Sequence, residues 1–149
     1  MPRFRELSAP ECESLLRAGV IGRVALATPE GPLIVPVNYV VFEDTVIIRT
    51  SAYSLLGTHA RDTMVAFEVD DLDPDRQSGW SVVARGRAWA ESDPTELARI
   101  RTECSPRSWA SGRRNVYLRV RWSRLSGRAS VEPRTRAPDS SPPHAMTGA

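Results

Sequence analysis

The chain has 149 residues, 41% hydrophobic and 26% charged, and a formal net charge of +2. That length suits one domain with its own core, and so mild a charge makes no electrostatic case for nucleic acid. All 20 basic residues are arginine, so no lysine amine is present for a Schiff base or a phosphate anchor.

Cys12 and Cys104 share no ligand-like spacing, and free, mostly buried thiols in a reducing compartment are expected. The leading Met1-Pro2-Arg3-Phe4 lacks the apolar run of a signal peptide, and no stretch is apolar for long enough to span a bilayer. A cytoplasmic protein without membrane contact is therefore expected.

Ser8, followed three residues on by Glu11, is a capping-box start, and Gly19 is a stop; together they predict a first helix. Ile21 to Thr28 reads as a strand, and residues 29–32 as a turn rich in Pro and Gly. A second strand is expected over Leu33 to Val41. Both of its faces are largely apolar, which suits a barrel wall beneath a dimer contact. A tight turn at residues 42–44 and a third strand over Thr45 to Thr50 complete a meander.

Residues 51–62 hold a short helix, and Met64 to Asp70 returns to strand. Residues 71–79 read as a polar loop. Trp80 to Glu91 is a long strand with a bulge or bend at Gly86. Asp93, then Pro94 and Glu96, cap a helix running to about Glu103. After an irregular connection over 104–114, Asn115 to Ser126 alternates Val116, Leu118, Val120 and Trp122 against Tyr117, Arg119, Arg121 and Ser123. That pattern predicts a half-buried strand. Residues 131–149 are too poor in large apolar side chains to offset their ordering entropy, so a disordered tail is expected. The whole reads as a mainly β domain over 1–130, a small antiparallel barrel of six or more strands with short helices covering its ends.

Several segments, in this order, resemble the FMN-binding split β-barrels of the pyridoxamine 5′-phosphate oxidase-like superfamily. They are Leu7-Ser8 with Gly22-Arg23-Val24, the Val35-Pro36-Val37-Asn38-Tyr39 strand, the Ile48-Arg49-Thr50-Ser51 strand end, and Val65 to Asp70 with Gly79-Trp80-Ser81. Trp109, Gly112 and Ser126-Gly127-Arg128 extend the match. The resemblance implies a homodimer with flavin between subunits: FMN first, a deazaflavin as the alternative. It places Pro36, Val37, Asn38 and Tyr39 along the flavin ring, and Arg49, Thr50, Ser51 and Ser54 at the phosphate. Trp80, Ser81 and Trp109 would approach from the second subunit. A phosphate suits a charged guanidinium fork, and Asn38 offers both a donor and an acceptor. Each position also has a plainer reading: a surface ion pair for Arg49, a helix cap for Thr50 and Ser51, core or interface packing for the tryptophans.

The chain departs from the family pattern where Gly, a small hydroxyl residue and Lys-Leu would follow the strand. Here the run is Tyr53-Ser54-Leu55-Leu56. Losing one charged hydrogen bond of about 1.5–3 kcal/mol weakens binding by about one to two powers of ten. Arg61 is a candidate replacement cation. Two functions stay open: a flavin- or deazaflavin-dependent oxidoreductase, and a non-catalytic dimeric barrel with weakened or lost cofactor binding that takes another small ligand. No catalytic residue is evident. Nucleic-acid binding through Arg113, Arg114, Arg119, Arg121, Arg124 and Arg128 is a weaker third, since such a stripe more often faces solvent. No His/Cys/carboxylate group has metal-ligand spacing.

Overall fold

The computed structural model describes residues 3–106 and 115–131. The chain runs as β1 (Arg3–Glu6), α1 (Ala9–Ala18), β2 (Ile21–Thr28), β3 (Gly31–Asn38), β4 (Val40–Phe42) and β5 (Thr45–Thr50). It continues through α2 (Leu55–His59), β6 (Thr63–Asp73), β7 (Ser78–Ala90), α3 (Pro94–Glu103) and β8 (Val116–Val131). The strands form one antiparallel sheet in the order β3-β2-β6-β7-β8-β5-β4, with β1 added along the far end of β8. Although β3 and β4 follow one another in the chain, they sit at opposite ends of that order. The sheet therefore curls towards closure and leaves a split between them.

The helix starts follow the sequence closely. Ser8 accepts from the Glu11 amide while the Glu11 carboxylate accepts from the Ser8 amide, which closes the capping box. Asp93 accepts from the amides of Thr95 and Glu96 at the start of α3. The β2–β3 hairpin turns on Pro29 and Glu30, and Gly31 beyond them has φ +121°, a conformation that favours glycine.

Inside the curl, Leu16, Val24, Phe67, Val69, Val82, Leu118 and Val120 form the main core. Phe67 is fully buried, a contribution of about 1.5–3 kcal/mol. A second, smaller cluster of Phe42, Ile47, Ile100 and Tyr117 lies on the other face of β5 and β8, beneath α3.

The expected strand over 33–41 is two strands. It breaks at Tyr39, which leaves β3 at one edge of the split and β4 at the other. On β3, Leu33, Val35 and Val37 pack against the core, whereas Pro32, Ile34 and Pro36 face solvent in the single chain. The polar loop over 71–79 is shorter than expected. Asp71–Asp73 and Ser78–Gly79 extend the hairpin, and Asp73 caps its turn by accepting from the amides of Asp75 and Arg76.

Strand β8 also differs from its expected alternation. It is longer, and residues 117–120 are buried on both faces, because α3 covers the side that carries Tyr117 and Arg119. Arg119, 4% exposed, therefore leaves the solvated stripe. It donates to Glu91 at 3.2 Å, to Glu96 at 2.9 Å and to the Thr45 hydroxyl. The irregularity at Gly86 is present: the register slips between Arg85 and Gly86, so Ser123 of β8 is the extra residue. A side chain at position 86 would strike the Arg121 carbonyl. Trp109, Gly112, Arg113, Arg114 and the tail beyond Val131 lie outside the described residues. Among the described residues, no helix is long and apolar enough to cross a membrane.

Candidate functional site

The residues singled out in the sequence fall into three places. The first is the outer face of the β2–β3 ladder, where Asn38 lies opposite Ile21, Pro36 opposite Arg23 and Ile34 opposite Ala25. Because side chains alternate along a strand, Val37 turns inward while Pro36 and Asn38 face outward. Tyr39 is 2% exposed and belongs to the core. Its ring meets Phe67 edge to face at 4.6 Å, its hydroxyl donates to the Leu16 carbonyl, and burial pushes its pKa up to about 12.

Beside this apolar strip, Arg23 reaches across to Glu68 at 2.9 Å and Asp70 at 3.3 Å. Burial, and after it a hydrogen bond with Asp70, raises the Glu68 pKa above the usual carboxylate value. No motif flagged this acidic pair. Only the pairing of β2 with β6 brings it to Arg23.

The second place is the end of β5. Thr50 is 2% exposed, and its hydroxyl lies 2.5 Å from that of Ser54. The Ser54 oxygen accepts from the Gly57 amide and its hydroxyl donates to the Ser51 carbonyl, as the cap of α2 requires. These hydroxyls are thus occupied with one another. Arg49 points to the opposite face of β5, where its guanidinium sits 5.4 Å from the centre of the Tyr117 ring. Arg101, from the last turn of α3, approaches the same ring at 5.6 Å, and the Ser105 hydroxyl lies 3.3 Å from the Tyr117 hydroxyl. Tyr53 is 96% exposed, so it does not fill a groove within this chain. Leu55 is also exposed, and Arg61 donates to the Gly57 carbonyl.

The third place is the opposite end of the long β7–β8 ribbon. Trp80 packs partly against the core and pairs with Ala129, while Ser81 pairs with Arg128. Thr50 pairs with Val116, so Trp80 and Thr50 are separated by roughly 40 Å of strand. One chain therefore does not bring the first and last members of the implied site together. Trp109 lies outside the described residues.

The arrangement offers an apolar outer strip with one amide, and a cationic strand end built on an aromatic ring. Such a pair suits a ligand that is flat and apolar at one end and anionic at the other.

A family model described as pyridoxamine 5′-phosphate oxidase matches residues 8–129, which takes in the chain from α1 to within two residues of the end of β8. The chain belongs to that family. Among its relatives is the uncharacterized protein Rv0080 of Mycobacterium tuberculosis, 39% identical over 106 residues, or 68% of this chain and 70% of that one. In structure the pyridoxamine 5′-phosphate oxidase fold is matched by the FAD-binding protein of Mycobacterium smegmatis. That protein is 30% identical with a TM-score of 0.66, and the match covers 85% of this chain and 98% of that one. A Corynebacterium glutamicum protein provisionally assigned as a pyridoxamine 5′-phosphate oxidase matches at 26% identity and a TM-score of 0.73, covering 85% and 98%.

Proposed function

We propose that this protein is a flavin-binding member of the pyridoxamine 5′-phosphate oxidase family, acting as a homodimeric oxidoreductase. The observation that carries the reading is the match to the FAD-binding protein of M. smegmatis along 98% of that chain. The residues present fit a flavin nucleotide. Pro36 and Ile34 offer apolar surface to a ring, Asn38 offers an amide to its polar edge, and Arg49 offers a guanidinium to a phosphate.

When bound, a flavin supplies the electron-transfer chemistry. This chain's residues bind and orient it: the β3 strip shields one face from water, and the strand end of β5 holds the anionic end. The roughly 40 Å of strand between Trp80 and Thr50 favours a site completed by a second copy, with Trp80 and Ser81 arriving from the partner. FMN and a deazaflavin are the mononucleotide candidates, and FAD the dinucleotide one.

The second reading is a barrel that has lost its cofactor, and Leu55 in place of a lysine favours it. Titrating purified protein with FMN, FAD and a deazaflavin, followed by fluorescence quenching, separates the two. Saturable binding with a perturbed flavin spectrum supports the first; no binding by any of the three supports the second.

A further inference from the structure

We infer that the anionic end of the ligand is held on the α3 face of β5, by Arg49 and Arg101 around Tyr117, and that this pair suits a diphosphate. The inference rests on the flavin reading and moves its phosphate away from the start of α2. On the α2 side, Thr50 is buried, Ser54 is spent on its cap, and Leu55 brings no charge. On the α3 side, two guanidiniums from different elements approach one ring.

The two distances to that ring, 5.4 and 5.6 Å, set the guanidinium carbons no more than 11 Å apart. Within that span each fork can take one phosphoryl group of a diphosphate such as a dinucleotide carries. The Tyr117 and Ser105 hydroxyls add donors at the same place.

The neighbouring arginines are engaged otherwise. Arg119 is held by Glu91 and Glu96, and Arg99 by Glu43 and Glu96. Arg101 makes no ion pair among the described residues, and it is exposed, so changing it leaves the core intact.

The experiment compares the full-length wild type with Arg101→Gln and Leu55→Lys, titrated with FAD, FMN and riboflavin, which has no phosphate. The expected result is a loss of roughly tenfold or more in FAD affinity in Arg101→Gln, with riboflavin unchanged. Leu55→Lys should leave FAD binding where it was. Unchanged FAD binding in Arg101→Gln, or an equal loss for riboflavin, overturns the inference. A tenfold gain for FMN in Leu55→Lys returns the phosphate to α2 and also overturns it, while the flavin reading stands. If the wild type binds none of the three, the flavin reading fails, and inorganic pyrophosphate followed by calorimetry decides the site alone. Binding that Arg101→Gln abolishes supports it; no binding overturns it.

Discussion

The Tyr39 hydroxyl donates to the Leu16 carbonyl at 2.5 Å, pinning the break between β3 and β4 to the last turn of α1. Gly19 lies against the same hydroxyl, where an added Cβ would sit 2.1 Å from the oxygen. Gly19→Ala should therefore destabilise the protein strongly, and much less when Tyr39→Phe has already removed the oxygen. Tyr39→Phe alone should cost about 1 kcal/mol, because the Gly19 amide still points at that carbonyl. Urea denaturation of the double-mutant cycle reads the coupling, and strictly additive costs would contradict the packing.

The same tyrosine sets an alkaline limit. Its folded pKa is raised to about 12 from an ordinary 10, so the folded state holds its proton through that window while the unfolded state releases it. Tyr39 thus favours folding below pH 10, and that contribution is lost as pH rises towards 12. Denaturation midpoints across this range should fall more steeply for the wild type than for Tyr39→Phe.

At the acid end, Glu11 is the group to watch. The hydrogen bond from Arg5, and after it that from the Ser8 amide, lowers its pKa from 4.5 to about 2. Its depressed value means that the contribution is full above pH 4.5 and disappears as pH falls through 2. Glu11→Gln should flatten that part of the acid profile followed by circular dichroism, and loosen β1 at neutral pH.

Arg119 is the polar keystone under α3. Removing it leaves Glu91 buried beside Trp89 without its cation, and Arg119→Leu should cost about 3–5 kcal/mol. Arg119→Lys should recover less than half of that loss, since a single ammonium cannot also reach the Thr45 hydroxyl through the two nitrogens that do so now. Chemical denaturation of both variants gives the comparison.

The outer face of β3 should be the dimer seam. Ile34 is 66% exposed in the single chain, between the outward Pro32 and Pro36. Ile34→Asp is expected to halve the mass measured by light scattering without lowering the core's stability. A wild type that is already monomeric would remove the seam.

Much of the fold is legible where a local rule decides it. The Ser8–Glu11 box, the Asp93 cap and the Gly86 irregularity each depend on a few neighbouring residues. What escapes is set at a distance. Nothing in Arg3–Glu6 marks a strand; its exposed residues become one only through pairing with residues 128–131. Arg119 looks solvent-facing on its own strand until α3, from elsewhere in the chain, covers it. The site divides in the same way. Arg49 is recognisable as a cation at a strand end, but its company with Arg101 on Tyr117 joins three elements that no spacing links.

The extra residue at Ser123 switches which sequence positions of β8 face inward, from Val116, Leu118, Val120 and Trp122 before it to Leu125 after it. Deleting that one position would restore a regular ladder with every later side chain on its present face, because Arg124 already pairs with Arg85 next to the Gly86–Trp122 pair. Keeping the residue but pairing it as an ordinary one would instead slip the register by one, turning Leu125 into water and driving Arg124 and Arg128 towards the interior. Leaving that single residue unpaired thus sets the orientation of the final half of the longest strand.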